Sequence, residues 1–222
     1  MKPVVHQLAH SPYCLPVTRA LEALGVAYTV VNHSNADRSA LLRLTGGAYY
    51  QVPVVEWNGA LVYDRSAEGL DVPRFLDREF AAGRLFPAAV EGLQRILVPH
   101  IENEVEIPVF KLTDIQYIPS IADVAERGMV VRHKERRFGR GCVDQWRASS
   151  SDLVAEAVRR MTPYDLMAAQ GPFLLGEQPV YTDFALYGIL ANLTYNGWNA
   201  FPEGLPNLRR WYDRISVFQF PR

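Results

Sequence analysis

Strand and helix signals alternate through roughly the first eighty residues, and strand signals then nearly stop. Residues 4–8 and 28–31 are short apolar runs typical of strands. The segment between them carries apolar residues at i, i+3, i+4 and i+7, one face of a helix: Val17, Ala20, Leu21 and Leu24. Because a crossover helix joins parallel strands, these elements predict a parallel β-α-β unit.

A hairpin is predicted where Asn58-Gly59 separates residues 52–57 from residues 60–63. Asn-Gly supplies the positive φ angles that a two-residue type I′ turn needs. Shorter helical segments at residues 38–44 and through Phe75-Leu76 complete the order β-α-β-α-β-β-α, with the last two strands antiparallel.

Beyond Gly83 the apolar spacing is helical. The stripes are Leu93, Ile96, Leu97 and Ile101; Leu153, Val154, Ala157, Val158 and Met161; Leu186, Ile189, Leu190 and Leu193; and Leu208, Trp211, Tyr212 and Ile215. Residues 120–123 and 162–165 each place a carboxylate three positions after a hydroxyl, which predicts two helix starts, with Pro163 at the first helical position. We therefore predict an α/β domain over residues 1–82 and an all-helical domain over residues 88–222.

Composition narrows the classes of partner. Apolar residues make up 49% of the 222 residues and the net charge is −1, which weighs against disorder and against nucleic acid or acidic membranes as partners. No apolar run approaches the ~20 residues of a membrane span, and the first residues lack a secretory signal. Only two cysteines occur, Cys14 and Cys142, which suits a reducing cytoplasm.

The turn Ser11-Pro12-Tyr13-Cys14 lies between a predicted strand and a predicted helix. A helix N-terminus carries unpaired N–H groups and about half a positive charge, which stabilise a thiolate. Ser11 could donate its hydroxyl to such a thiolate, and Cys14 lies about one turn further on. The alternative is that Ser11 is only an N-cap and Cys14 a buried apolar residue.

Gln51-Val52-Pro53 precedes the hairpin, and a proline at a strand start sometimes follows a cis bond. A cis Val52–Pro53 bond would leave the Val52 backbone free to pair with an extended peptide. The alternative is an ordinary trans proline opening an edge strand.

Asp64-Arg65-Ser66 follows the hairpin and precedes a helix. A carboxylate, a hydroxyl and free N–H groups at a helix start would suit the ammonium and carboxylate of an amino acid. The alternative is a plain cap with solvated charges.

The order and spacing of these motifs resembles the cytosolic glutathione transferases. The stretch Phe173-Leu174-Leu175-Gly176, followed by residues 179–185, also looks like that family's approach to a buried core helix. The resemblance implies a thioredoxin-like N-terminal domain, an all-helical C-terminal domain, glutathione as co-substrate and no metal. Two departures stand out: Arg65 separates Asp64 from Ser66, and Val180 replaces the usual capping serine or threonine.

The resemblance also assigns roles to single residues. Ser11 falls where serine-type members hold the glutathione thiolate, and where glutaredoxin-like members have their nucleophilic cysteine; Cys14 falls at the resolving position. The remaining glutathione-binding positions are Tyr13 at the pocket border, Gln51 at the glycyl end, Val52 before Pro53 for the cysteinyl backbone, and Asp64 and Ser66, with Arg65 between them, for the γ-glutamyl end.

The implied activity is attack of the thiolate on a small apolar electrophile by conjugation, reductive cleavage or isomerisation, in a cytoplasmic homodimer engaged in detoxification. Two alternatives remain: a glutathione-dependent thiol–disulfide or peroxide reductase that uses Cys14, and a non-catalytic scaffold. His6 and His10 are read as structural rather than as metal ligands.

Overall fold

A computed structural model describes residues 1–221 and contains one four-stranded sheet in the order β2-β1-β3-β4. The strands are β1 (Val4–Gln7), β2 (Thr29–Asn32), β3 (Val54–Trp57) and β4 (Ala60–Val62). β1 and β2 are parallel, whereas β3 is antiparallel to both β1 and β4. The predicted parallel unit and the antiparallel hairpin are both confirmed, with Asn58 and Gly59 at φ 49° and 78°.

Three helices cover the two faces of this sheet: α1 (Leu15–Ala23), α2 (Ser39–Leu44) and α3 (Asp71–Leu76). Val5 and Val55 belong to one buried core with apolar residues of α1 and α3, whereas Val54 packs with Leu41 of α2 and Tyr63. Alternate strand residues face opposite sides, so α1 and α3 lie on one face and α2 on the other. This arrangement is the thioredoxin-like layering that the resemblance implies.

The rest of the described chain forms helices joined by loops, with one isolated bridge between Phe173 and Gly176. The helices are α4 (Glu91–His100), α5 (Glu106–Ser120), α6 (Val124–Phe138), α7 (Cys142–Ala148), α8 (Ser150–Ala168), α9 (Tyr181–Leu193) and α10 (Pro206–Val217). A π-helical turn, Ile101–Val105, joins α4 to α5. Within residues 1–221, no helix combines the length and apolar composition that crossing a bilayer requires.

Both predicted helix starts in this part are wrong. Ser120 is the last residue of α5, and Asp123 is itself the N-cap of α6, where its carboxylate accepts the Glu126 N–H at 2.7 Å. A carboxylate can cap a helix alone, so the spacing from Ser120 carries no meaning.

The second predicted start, residues 162–165, lies inside α8. The Thr162 hydroxyl bonds back to the Val158 carbonyl at 2.9 Å, and Pro163 is an interior residue. Asp165 instead accepts two backbone N–H groups at the start of α10, each at 2.8 Å. Burial of Ala157 and Met161 on one face stabilises α8, so the helix continues past Pro163.

The apolar stripe predicted on α4 is only partly buried, because Leu93 and Ile96 are exposed. The buried face runs instead through Gln94, Val98 and the following Ile101. The Gln94 side chain belongs there because it bonds the Leu85 carbonyl at 3.1 Å and accepts a backbone N–H of α9 at 3.0 Å.

Helix α9 lies at the centre of the molecule, with all but one of its residues buried. Its Asp183 carboxylate accepts the Val180 N–H at 3.0 Å, the Leu174 N–H at 2.9 Å and the Trp211 indole N–H at 2.8 Å. Val180 has no side-chain oxygen, so Asp183 provides only half of a capping box. The carboxylate nevertheless joins α9, α10 and the loop before α9.

Candidate active site

The Ser11 turn closes on itself between β1 and α1. The Ser11 carbonyl accepts the Cys14 and Leu15 N–H groups at 3.1 and 3.0 Å, and the Ser11 hydroxyl oxygen accepts the Tyr13 N–H at 3.2 Å. The N–H groups of Tyr13, Cys14 and Leu15, the first residue of α1, are therefore already bonded within the turn, unlike the free groups expected from the sequence. The Ser11 hydroxyl also lies within hydrogen-bond reach of Cys14, and its proton can rotate from that sulfur to an anion at the positive end of α1.

Cys14 is completely buried at the N-cap of α1. Burial raises the pKa of Cys14 to about 11, and hydrogen bonds from the Ser11 side chain and the Leu8 backbone offset only part of the rise. The thiol is therefore protonated at neutral pH and shielded from solvent. A reactive cysteine needs the opposite environment, electropositive and accessible.

The Val52–Pro53 peptide bond is cis, as the sequence suggested. Pro53 is buried, Val52 is half-buried and Gln51 is exposed. β3 begins only at Val54, and the Val52 backbone has no hydrogen-bond partner among residues 1–221. The geometry needed to pair with an extended peptide is therefore present.

Asp64-Arg65-Ser66 does not begin a helix, since α3 starts at Asp71. The Asp71 carboxylate accepts the Arg65 and Ser66 N–H groups at 2.8 and 2.7 Å. The sequence predicted free N–H groups here, and that prediction is wrong for both residues. The Arg65 guanidinium covers the Tyr63 ring, 4.3 Å from its centroid. Burial raises the pKa of Asp64 to about 6. A glycine-containing turn at residues 66–70 displaces the helix from the motif.

One face of α5 and of the π-helical turn before it lies near the Ser11 turn, since the charges of Glu102 and Glu106 act on Tyr13; we refer to the space between this face and the turn as the cleft. The members of this face recur every three or four residues: Glu102, Glu106, Phe110, Asp114 and Tyr117. The Tyr117 ring lies 4.1 Å from the ring of His10, which precedes Ser11. Asp114 pairs with Lys134 of α6 at 2.6 Å. Helical spacing in the sequence could have identified this face, but not what it faces.

The titratable groups of this cleft are strongly perturbed. Burial, with nearby carboxylates, raises the pKa of Glu102 to about 7, and burial raises that of Glu106 to about 7. Burial and the charges of Lys134 and Arg38 lower the pKa of His10 to about 4, so this imidazole is neutral at pH 7. Perturbed groups gathered in one cleft are typical of functional sites.

Arg38, just before α2, is a second residue that sequence reasoning missed. Its Nη2 donates to Asn35 Oδ1 at 2.9 Å, whereas its Nη1 is buried with no hydrogen-bond partner in the described part of the chain. Burial lowers the pKa of Arg38, and its charge acts on Cys14 and Tyr117. An unpaired, buried guanidinium N–H favours an incoming anionic group.

Two other features lie away from this cleft. His6 bonds His33 at 2.9 Å and Glu56 at 2.6 Å, and residues 1–221 contain no group of three or more His, Cys, Asp or Glu side chains arranged to hold a metal ion. An opening of about 590 Å³ between α5, α6 and α7 includes none of the predicted site residues.

Comparisons with known proteins agree with this architecture. Residues 144–214 match the family model of the glutathione S-transferase C-terminal domain, and no curated protein matches the chain. Glutathione transferase GSTFuA3 from Phanerochaete chrysosporium is 15% identical with a TM-score of 0.83, over 100% of this chain and 99% of that one.

Two similar structures contain glutathione. A glutathione S-transferase of Ceriporiopsis subvermispora in complex with glutathione is 16% identical with a TM-score of 0.76, over 97% of this chain and 96% of that one. The theta-class enzyme of Xanthomonas axonopodis pv. citri with glutathione bound is 18% identical with a TM-score of 0.65, over 97% and 92%. Residues 144–214 thus resemble the C-terminal domain of the glutathione S-transferases, and the fold of the whole chain is similar to that of these glutathione transferases.

Proposed function

We propose that the chain is a glutathione transferase whose Ser11 hydroxyl stabilises the glutathione thiolate. The observation that carries the proposal is the position of the Ser11 hydroxyl at the positive end of α1, where its proton can turn from Cys14 to a bound thiolate. The unpaired Val52 backbone supports it, because the cysteinyl backbone of an extended tripeptide would pair there.

The energy required is within reach of these groups. Lowering the thiol pKa from ~8.5 to ~6.5 needs about 2.7 kcal/mol of preference for the thiolate, since one pKa unit is about 1.36 kcal/mol. A hydrogen bond to a charged group contributes about 1.5–3 kcal/mol, and a helix terminus about 0.3–1 kcal/mol.

The ends of glutathione would meet charged side chains. Asp64, Arg65 and Ser66 would hold the γ-glutamyl end, with the Asp64 carboxylate toward the amine. Gln51 would bond the glycyl end. The unpaired Arg38 Nη1 would suit one of the tripeptide's carboxylates.

A small electrophile would bind in the cleft between Tyr13 and the α5 face. Aromatic rings of His10, Tyr117 and Trp198, with centroids 4.1–5.7 Å apart, provide apolar surface there. The exposed Leu93 and Ile96 would suit a contact in a homodimer. A cytoplasmic role in detoxification remains part of the proposal.

The decisive experiment compares Ser11→Ala with Cys14→Ala in glutathione conjugation to an aryl halide. We expect Ser11→Ala to lower kcat/KM about 100-fold, which corresponds to roughly 2.7 kcal/mol, and Cys14→Ala to change it less than about threefold. The reverse pattern would assign the chain to the thiol–disulfide reductases. Absence of glutathione binding at millimolar concentration by calorimetry would favour a scaffold.

A further inference from the structure

The Ser11 turn rests directly on helix α9. Gly188 meets it without a side chain, because a Cβ there would lie 2.4 Å from the Pro12 carbonyl oxygen and 2.4 Å from Pro16 Cγ. Real Cβ atoms do not approach backbone oxygen that closely. The backbone of α9 therefore contacts the turn that carries Ser11.

Asn192 lies one helical turn after Gly188 and faces the same way. Its Nδ2 donates to the carbonyl oxygen of His10, the residue before Ser11. Its Oδ1 accepts the Thr113 hydroxyl of α5 at 2.9 Å. Asn192 and Thr113 are each only 3% exposed, so water does not compete for these bonds.

This network has a defined direction. The His10 carbonyl can only accept, so the amide NH₂ group of Asn192 must point at the turn; Oδ1 then faces Thr113, whose hydroxyl donates to it and holds the amide in that orientation. The His10 carbonyl adjoins Ser11 in the chain, and a shift there rotates the Ser11 backbone. A buried, fully paired network resists such a shift because an unpaired carbonyl is costly.

We propose that Asn192, oriented by Thr113, is a positioning residue that holds the Ser11 hydroxyl in line with the bound thiolate. Asn192 acts through the His10 backbone and does not contact the reacting atoms. The thiolate part of the inference depends on the proposed function. The part concerning the turn does not, and it can be tested without glutathione.

The two cysteines of the chain can report on the mobility of the Ser11 turn. Cys14 is buried in the turn, and Cys142 is equally buried at the start of α7, in a different hydrophobic cluster. Local loosening of the turn exposes Cys14 alone, whereas global unfolding exposes both. Alkylation by iodoacetamide, followed by peptide mass spectrometry, measures the two rates separately.

The variants are Asn192→Leu and Thr113→Val, with Thr194→Val as the matched control. The Thr194 hydroxyl bonds the Leu190 carbonyl at 2.9 Å and lies 3.3 Å from the Tyr212 hydroxyl, and neither partner belongs to the turn. We expect Asn192→Leu to speed Cys14 alkylation about tenfold, Thr113→Val about threefold, and neither to change Cys142. The control should leave both rates unchanged.

Equal increases at both cysteines, or no increase at Cys14, would overturn the positioning role. If Asn192→Leu does not fold, Thr113→Val carries the same comparison, because it only replaces a hydroxyl with a methyl group.

Glutathione then separates this inference from the proposed function. Ultraviolet titration of the bound thiol should show its pKa raised by about one unit in Asn192→Leu, with the glutathione Kd within about threefold of wild type. An unchanged thiol pKa would contradict the positioning role. A wild-type chain that does not bind glutathione would overturn the proposed function and the thiolate part, while the cysteine rates would still decide whether Asn192 holds the turn.

Discussion

Replacing Asp183 with asparagine tests how a buried carboxylate shapes stability at the start of α9. Asp183 is fully buried, and burial raises its pKa from 3.8 to about 6 despite three N–H donors. The folded protein therefore holds this proton at pH values where the unfolded chain has lost it. The contribution of Asp183 to the free energy of unfolding therefore falls as the pH rises from about 4 through 6.

The magnitude follows from the two pKa values. Between pH 5 and pH 7 the unfavourable contribution of Asp183 grows by about 1.3 kcal/mol. Asparagine does not titrate, so this growth is absent from the variant. Its NH₂ group would face the Val180 N–H, which costs about 1–3 kcal/mol at either pH.

Urea unfolding of both proteins at pH 5 and pH 7 measures the effect. We expect the free energy of unfolding of the wild type, measured relative to that of Asp183→Asn, to fall by about 1.3 kcal/mol from pH 5 to pH 7. The control is Asp144→Asn, because the Asp144 side chain is 83% exposed and its variant should follow wild type at both pH values. A difference that is constant, or that grows with pH, would refute the reasoning.

Three further outcomes are expected. Arg19→Met should lower the free energy of unfolding by about 2–4 kcal/mol in urea, because the buried guanidinium bonds carbonyls at the end of α10; a loss below about 1 kcal/mol would contradict this role. Lys134→Met should destabilise more at pH 8 than at pH 5, because burial already raises the pKa of Asp114 and removing its cation raises it further; thermal unfolding that shifts equally at both pH values would argue against the pair. Gly59→Ala should cost about 1 kcal/mol, because φ is 78° in the hairpin turn; an unchanged urea midpoint would show that the turn is not strained.

Local chemistry made much of the N-terminal half predictable. Asn58-Gly59 needs only its own backbone angles to form a turn, and Gly25 ends α1 at φ 67° for the same reason. The helix that joins β1 to β2 makes this pair parallel, and the two-residue turn makes β3 and β4 antiparallel.

Start signals in the helical half failed where distant contacts outweighed local spacing. Asp165 matched a capping pattern, yet it bonds the start of α10, some forty residues later in the chain. Gln94 lies outside the apolar stripe predicted for α4, yet it satisfies a carbonyl and an N–H inside the core. A polar side chain is buried where a hydrogen-bond partner waits across the core. That partner lies far away in the sequence, so a local pattern cannot reveal it.

The sequence by itself determined the order of strands and helices in the first eighty residues, the type I′ turn and the placement of Ser11 at the start of a helix. Tertiary structure alone decided that Cys14 is buried and that Arg38 has an unpaired N–H near the cleft. It also decided that Asn192 bonds the His10 carbonyl, 182 residues earlier in the chain. The physical reason is the distance along the chain between interacting residues. Backbone angles and helix ends depend on neighbours within one turn. Desolvation and hydrogen-bond satisfaction depend on atoms that only the packed core brings together.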